Sequence, residues 1–162
     1  MDFAADRRQG AVEESAHTWS RPGMSQETSP PIPSGFKLML PNDGFMANNG
    51  PYYLRRIAEG GYEYGFHSDA RHNNPNSVLH GGAVLGFLDT IMGHFAASSA
   101  KRPTATIGFD TRFLASAPPG SWIEGRVIMR RLTRSLAFVD GEASTNGTLL
   151  VTASGIFRVF EA

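Results

Sequence analysis

The order of patterned segments predicts an α+β fold, an antiparallel sheet wrapped around one long helix. Three observations lead there. Residues 81–100 make the one long helical candidate, and it is apolar on most sides. Four strand-like runs follow it, near 104–115, 121–132, 135–145 and 148–160. Pro118-Pro119-Gly120 separates the first pair and Asn146-Gly147 the last, and Asn-Gly is a strong hairpin signal.

Taken in order, residues 1–35 hold charged and small polar residues and end in Ser29-Pro-Pro-Ile-Pro-Ser-Gly35, the composition of a disordered or loosely attached arm. Met24 is an alternative start within it. The domain is expected over 36–162. Phe36, Leu38 and Leu40 alternate briefly, and Phe45 to Pro51 reads as a short helix or turn closed by Gly-Pro. Residues 52–58 and 62–67 flank Glu59-Gly60-Gly61 as a hairpin, and 69–75 is loop material. In the long helix, Val84, Leu85, Phe87, Leu88, Ile91, Met92 and Phe95 cover a broad apolar arc. Gly82, Gly86, Gly93 and Ala97 form a small-residue strip beside it. Such a helix is a buried one.

With 162 residues, one domain with a substantial core is the economical expectation. Fifteen Lys and Arg balance fifteen Asp and Glu, which gives no charge argument for nucleic acid or an anionic membrane. The absence of cysteine removes disulfides, thiolate metal sites and a cysteine nucleophile together. No apolar run reaches the roughly 18 residues of a membrane span, and no apolar stretch of a secretory signal follows the N-terminus. A cytoplasmic protein is the expectation.

The chemistry concentrates in Asn74-Pro-Asn-Ser-Val-Leu-His80-Gly81-Gly82 and the helix after it. Gly81 and Gly82 stand at the helix start, where unpaired N–H groups and the positive end of the dipole favour an oxyanion. A plain loop-to-helix junction would use the same glycines. One such donor contributes about 3 kcal/mol to a transition state in other enzymes. Asp89 is the helix's one acid and borders its apolar arc, where an isolated carboxylate is costly unless paired or protonated. It lies about 12 Å of helical rise beyond Gly81. An extended thioester along the helix would let Asp89 act as general base on water or as nucleophile through a mixed anhydride. A solvated helix edge is the plain alternative. His80 could orient the glycines through a side-chain-to-backbone hydrogen bond, and Asn74 could hold water or the thioester carbonyl. His67, His72 and His94 share no metal-like spacing with Asp89, so neither a metal nor a cofactor is expected.

The pattern Asn74-x5-His80-Gly81-Gly82-x6-Asp89 resembles the signature of the hotdog-fold acyl-CoA thioesterases of the phenylacetic-acid-degradation type. The likeness runs from about Phe36 to Phe160. Thr106 to Leu114 resembles that family's strand after the helix, Ser135 to Val139 its penultimate strand, and Thr148 to Ala153 its closing strand. The resemblance implies that Gly81 N–H polarises the thioester carbonyl, His80 supports the loop, and Asp89 is the carboxylate catalyst. It implies that Asn74 binds water or carbonyl, and that Thr106 approaches Asp89 from the other subunit of a dimer. Gly82 and Arg134 would serve the coenzyme A side, Arg134 near its phosphates. An acyl-CoA substrate and a homodimer or homotetramer with sites between subunits follow from it, with no nucleic acid and no membrane. Ser77 departs from the family, which usually has glycine there, and serine makes the same turn only if its backbone angle is ordinary.

Hydrolysis of an acyl-CoA is therefore the leading expectation. A non-catalytic acyl-CoA binder of the same fold is the alternative, and a buried acid argues against it because a binder gains nothing from that cost. A hotdog dehydratase would need a His–acid pair working at carbon, and His80 stands about two turns from Asp89.

Overall fold

The computed structural model describes residues 31–58 and 60–161. The arm expected over 1–35 lies outside the described residues as far as residue 30, and Met24 lies there too. The rest is tied down, since Ser34 carbonyl accepts from Arg55 Nη1 at 2.9 Å and Phe36 N–H donates to Pro33 carbonyl.

The elements run β1 (Lys37–Leu38), α1 (Gly44–Asn49), β2 (Tyr53–Arg56), β3 (Tyr62–His67), a 3-10 turn (Ala70–His72), α2 (Gly81–Ala100), β4 (Thr104–Phe113), β5 (Trp122–Leu132), β6 (Leu136–Thr145) and β7 (Thr148–Val159). The strands form one antiparallel sheet in the order β1-β2-β3-β5-β6-β7-β4. Helix α2 leaves β3 near one side of this sheet and returns the chain to β4, its opposite edge. Asn146 and Gly147 both have positive φ, 48° and 76°, and close the β6–β7 hairpin as Asn-Gly demands. The loop expected at 69–75 contains the 3-10 turn, because Asp69 accepts from Arg71 N–H while Asp69 N–H donates to His72 Nδ1.

Helix α2 lies across the sheet with Phe87, Leu88, Ile91 and Met92 fully buried against Tyr64, Phe66, Ile123 and Phe157. Burial of such side chains stabilises by about 1.5–3 kcal/mol each. The close approach needs glycine on the sheet: a Cβ on Gly125 would run into Ile91 and Phe87, and one on Gly141 would meet Met92 Sδ at 2.6 Å. Leu85 and Phe95 are only partly buried, so the core face is narrower than the apolar arc suggested. In the small-residue strip, Gly86 lies beneath α1, which seats Phe45 over it, while Gly93 faces Phe157. Among the described residues no helix is long and apolar enough to cross a membrane.

Candidate active site

Two clusters contain the motif residues, one at each end of the first half of α2. The first is the turn before the helix. Asn74 organises it: its Oδ1 accepts from Asn76 N–H at 2.9 Å and Val78 N–H at 3.4 Å, and its carbonyl accepts from Ser77 N–H at 3.0 Å. Ser77 has φ +58°, so the turn is made with serine in the left-handed region and not at an ordinary backbone angle. Three hydrogen bonds onto Asn74 set the tight turn, and serine enters the left-handed region at a cost of about 1–2 kcal/mol. Because Asn74 Oδ1 is engaged by backbone, its Nδ2 is the group left for a ligand, and an amide N–H donates only to an acceptor such as a carbonyl or water oxygen.

His80 caps α2. Its Nδ1 accepts from Gly82 N–H at 2.8 Å, which requires Nδ1 to be the unprotonated ring nitrogen. His80 carbonyl accepts from Ala83 N–H at 3.0 Å and Val84 N–H at 3.4 Å. Three of the four first-turn donors are thus occupied. Gly81 N–H has no acceptor among the described residues. Gly81 and Asn74 line the same cavity of about 340 Å³, walled by Val84, Phe113 and Leu150. A Cβ on Gly81 would lie 2.9 Å from the Phe113 ring, so a side chain there would crowd this wall.

The second cluster is Asp89 with Thr106. Thr106 Oγ1 donates to Asp89 Oδ1 at 2.7 Å within the same chain. The approach of Thr106 from a second subunit is thereby corrected: β4 runs beside α2 of its own chain. Asp89 is also exposed, so its apolar-helix setting does not bury it in the single chain. Within one chain, then, Asp89 gives no reason to disfavour a mere binder. Asp89 and Thr106 line an open groove of about 380 Å³ with Thr90, Gly93, His94 and Thr104. Beside this groove Tyr64 Oη and His94 Nδ1 share a hydrogen bond of 2.9 Å. Burial pushes the Tyr64 phenol far up and pulls His94 below the usual histidine range, so a neutral ring is paired with a neutral phenol.

The two clusters stay apart in one chain, separated by about 12 Å of helical rise. Arg134 joins neither. It is exposed, pairs with Glu161 at 3.2 Å, and gives its carbonyl to Arg102 just past the C-terminal end of α2, a full helix from Gly82. Gly82 itself has its N–H taken by His80. A larger cavity, about 510 Å³, lies on the sheet side facing away from α2, where Arg130 meets Asp140 at 2.6 Å and Ser154 donates to the same carboxylate. The Arg130 hydrogen bond holds the Asp140 carboxyl below its usual range, which describes a satisfied surface pair and not a poised acid. Among the described residues no three His, Asp or Glu converge on a metal position. Asn49 and His72 were not singled out by sequence as parts of this site. Asn49 reaches Ala83 across 34 residues of sequence, and no spacing signals that contact.

A family model described as the Thioesterase superfamily matches residues 76–152. The match takes in His80, Gly81, Gly82, Asp89, Thr106 and Arg134 and begins just after Asn74. No curated protein sequence matches the chain. Among solved structures, a phenylacetic acid degradation-related protein of Ralstonia eutropha JMP134 superposes with a TM-score of 0.64 at 24% identity, over 70% of this chain and 89% of that one. A mutant form of the phenylacetic acid degradation protein PaaI of Thermus thermophilus gives 0.64 at 21% identity, over 73% and 100%. A hypothetical thioesterase of Streptococcus pneumoniae TIGR4, solved with coenzyme A, gives 0.63 at 15% identity, over 67% and 85%. At these identities the superpositions speak for the fold alone. The chain thus shares the hotdog fold of these structures, and residues 76–152 of it are similar to the Thioesterase superfamily.

Proposed function

We propose that this protein hydrolyses an acyl-CoA thioester to a carboxylic acid and free coenzyme A. The observation that carries the reading is the one open N–H at the start of α2, Gly81, beside the free amide of Asn74 in one cavity. Those donors suit a thioester carbonyl oxygen whose negative charge grows as the carbon becomes tetrahedral. Asp89, aimed by Thr106, supplies the carboxylate. It either takes a proton from the attacking water or attacks the carbonyl carbon itself, expelling the thiolate and leaving an anhydride for water to open. The coenzyme A found with the Streptococcus pneumoniae relative supports the choice of thiol. Arg134 is assigned to the coenzyme's phosphates on the family resemblance alone.

One chain cannot apply both clusters to one carbonyl, so the reading includes a second copy. Strand β4 is an edge strand of ten residues, paired on one side only by β7. Such an edge offers unpaired backbone groups to another strand. It also joins the two clusters, since Phe113 walls Gly81 at one end and Thr106 bonds Asp89 at the other. Two β4 strands paired antiparallel about a two-fold near Asp110 bring Thr106 and Asp89 of one copy toward Phe113 and Gly81 of the other. A dimer built so has two composite sites.

The exposure of Asp89 favours one second reading, an acyl-CoA binder without turnover, because an exposed acid needs no catalytic reason to be kept. Thiol release from a panel of aliphatic, benzoyl and phenylacetyl-CoA thioesters separates the two. Turnover that falls by about 10²-fold or more in Asp89→Asn supports hydrolysis. Tight binding without thiol release, by folded protein, supports the binder and ends the first reading.

A further inference from the structure

We propose that His72 and Asn49 are positioning residues that set the aim of the Gly81 N–H, an inference that rests on the oxyanion reading of that donor. Neither side chain lines the cavity. Their hydrogen bonds instead grip the backbone on both sides of Gly81. His72 carbonyl accepts from the N–H of His80, the residue before Gly81, at 2.7 Å. Asn49 Nδ2 donates to the carbonyl of Ala83, two residues after Gly81, at 3.3 Å. The two holders are bonded to one another, with His72 Nε2 donating to Asn49 carbonyl at 3.1 Å. The circuit His80–His72–Asn49–Ala83 therefore closes through the first turn of α2.

Each link is anchored from outside the circuit. His72 is 2% exposed, and its Nδ1 accepts from Asp69 N–H at 2.9 Å, so both ring nitrogens are used and the Nε2–H tautomer is required. Asn49 Nδ2 also reaches the hydroxyl of Tyr52, which is fully buried. Arg71 holds the end of α1 by donating to Gly50 carbonyl at 2.6 Å and Asn48 carbonyl at 3.3 Å. A donor serving a transition state must be held to a fraction of an ångström, and residues locked by buried hydrogen bonds do this better than a free loop. A glycine pair following a proline-containing turn has no such stiffness of its own. The circuit supplies it.

A folding staple would give the same bonds, and the test separates the two roles. The full chain is prepared as wild type, His72→Leu, His72→Gln, Asn49→Ala and the double variant His72→Leu/Asn49→Ala. His72→Gln keeps an amide donor for Asn49 carbonyl. Amide hydrogen exchange is followed at Gly82, with Val139 in the middle of β6 as reference, and kcat and KM are measured with the best substrate of the acyl-CoA panel. The expected result is a fall in kcat of about tenfold in His72→Leu and in Asn49→Ala, with KM held within about twofold, because a misaimed oxyanion donor is missed in the transition state. His72→Gln recovers most of that loss, and the double variant loses little beyond either single one because both act through one circuit. Gly82 exchange quickens by about tenfold while Val139 is unchanged. Unchanged Gly82 exchange, equal quickening at Val139, or additive losses in the double variant overturn the proposal. No thiol release from wild type across the panel overturns the hydrolase reading instead, and the exchange comparison then still decides whether the circuit holds the turn.

Discussion

Thr106 donates its hydroxyl to Asp89 Oδ1 at 2.7 Å, so an edge strand aims a carboxylate that the central helix carries. A hydrogen bond to a charged group is worth about 1.5–3 kcal/mol, and here most of it serves orientation because both residues are exposed. Thr106→Val is expected to lower kcat by about tenfold or more, with melting temperature nearly unchanged. Thr106→Ser keeps the hydroxyl and should recover much of the rate. Wild-type turnover in Thr106→Val would mean that Asp89 is aimed by some other group.

Gly81→Pro isolates the proposed oxyanion donor. Gly81 is the first residue of α2, and proline is well tolerated at that position because its missing N–H is not needed by the helix. His80 already has the extended backbone, φ −70° and ψ 132°, that a following proline prefers. The added ring must push aside Phe113, an exposed side chain able to move. The helix should therefore persist by circular dichroism while kcat falls about 10²–10³-fold. Full activity in a folded Gly81→Pro protein would remove Gly81 from the mechanism.

Much of this was legible in the sequence because period and punctuation are local. The helix at 81–100 and the strands β4 to β7 follow from apolar patterning and from Pro-Pro-Gly and Asn-Gly turns. His80, Gly81 and Asp89 were legible because a histidine, two glycines and a lone acid at one helix start break an otherwise apolar pattern. Three things were hidden. The left-handed angle of Ser77 depends on hydrogen bonds closing onto Asn74, which residue type alone does not reveal. The exposure of Asp89 depends on where the sheet ends, at β4, beside that face of α2. The circuit through His72 and Asn49 joins segments tens of residues apart, so no periodicity records it.

Complementation tests the composite site directly. In the proposed dimer, Asp89→Asn and Gly81→Pro should each disable both sites of their own homodimer. In a mixed dimer one site combines the intact Gly81 of the first copy with the intact Asp89 of the second, and the other site lacks both. Random exchange of equal amounts should restore about a quarter of wild-type activity, since about half the dimers are mixed and each has one intact site of two. Sites contained in single chains predict no recovery at all. Activity that stays at the sum of the two variants, after mass spectrometry has confirmed exchange, would confine the site to one chain.

The buried histidines predict how stability responds to acid. Burial pulls His72 down, outweighing the upward pull of Asp69 beside it, and burial alone pulls His94 down. Each folded-state value therefore lies below the unfolded value of about 6.5. As pH falls through that unfolded value, the unfolded chain takes up protons that the native rings refuse, and stability falls until pH reaches the depressed native values. Between those limits each ring removes at most about 1.4 kcal/mol per pH unit. The carboxylates act lower: Asp140, held down chiefly by the Arg130 hydrogen bond, withdraws its contribution only as pH falls below about 4. Asp69 acts in that lower window too: burial pushes its carboxyl up, but the hydrogen bonds from Arg71 and the neighbouring charges of His72 and Arg71 together outweigh that push. His94→Gln keeps a hydrogen-bond partner for Tyr64 Oη but does not titrate, so it should flatten the fall in melting temperature between about pH 6.5 and pH 5. An acid limb equally steep in His94→Gln would show that the ring is already free to protonate in the native protein.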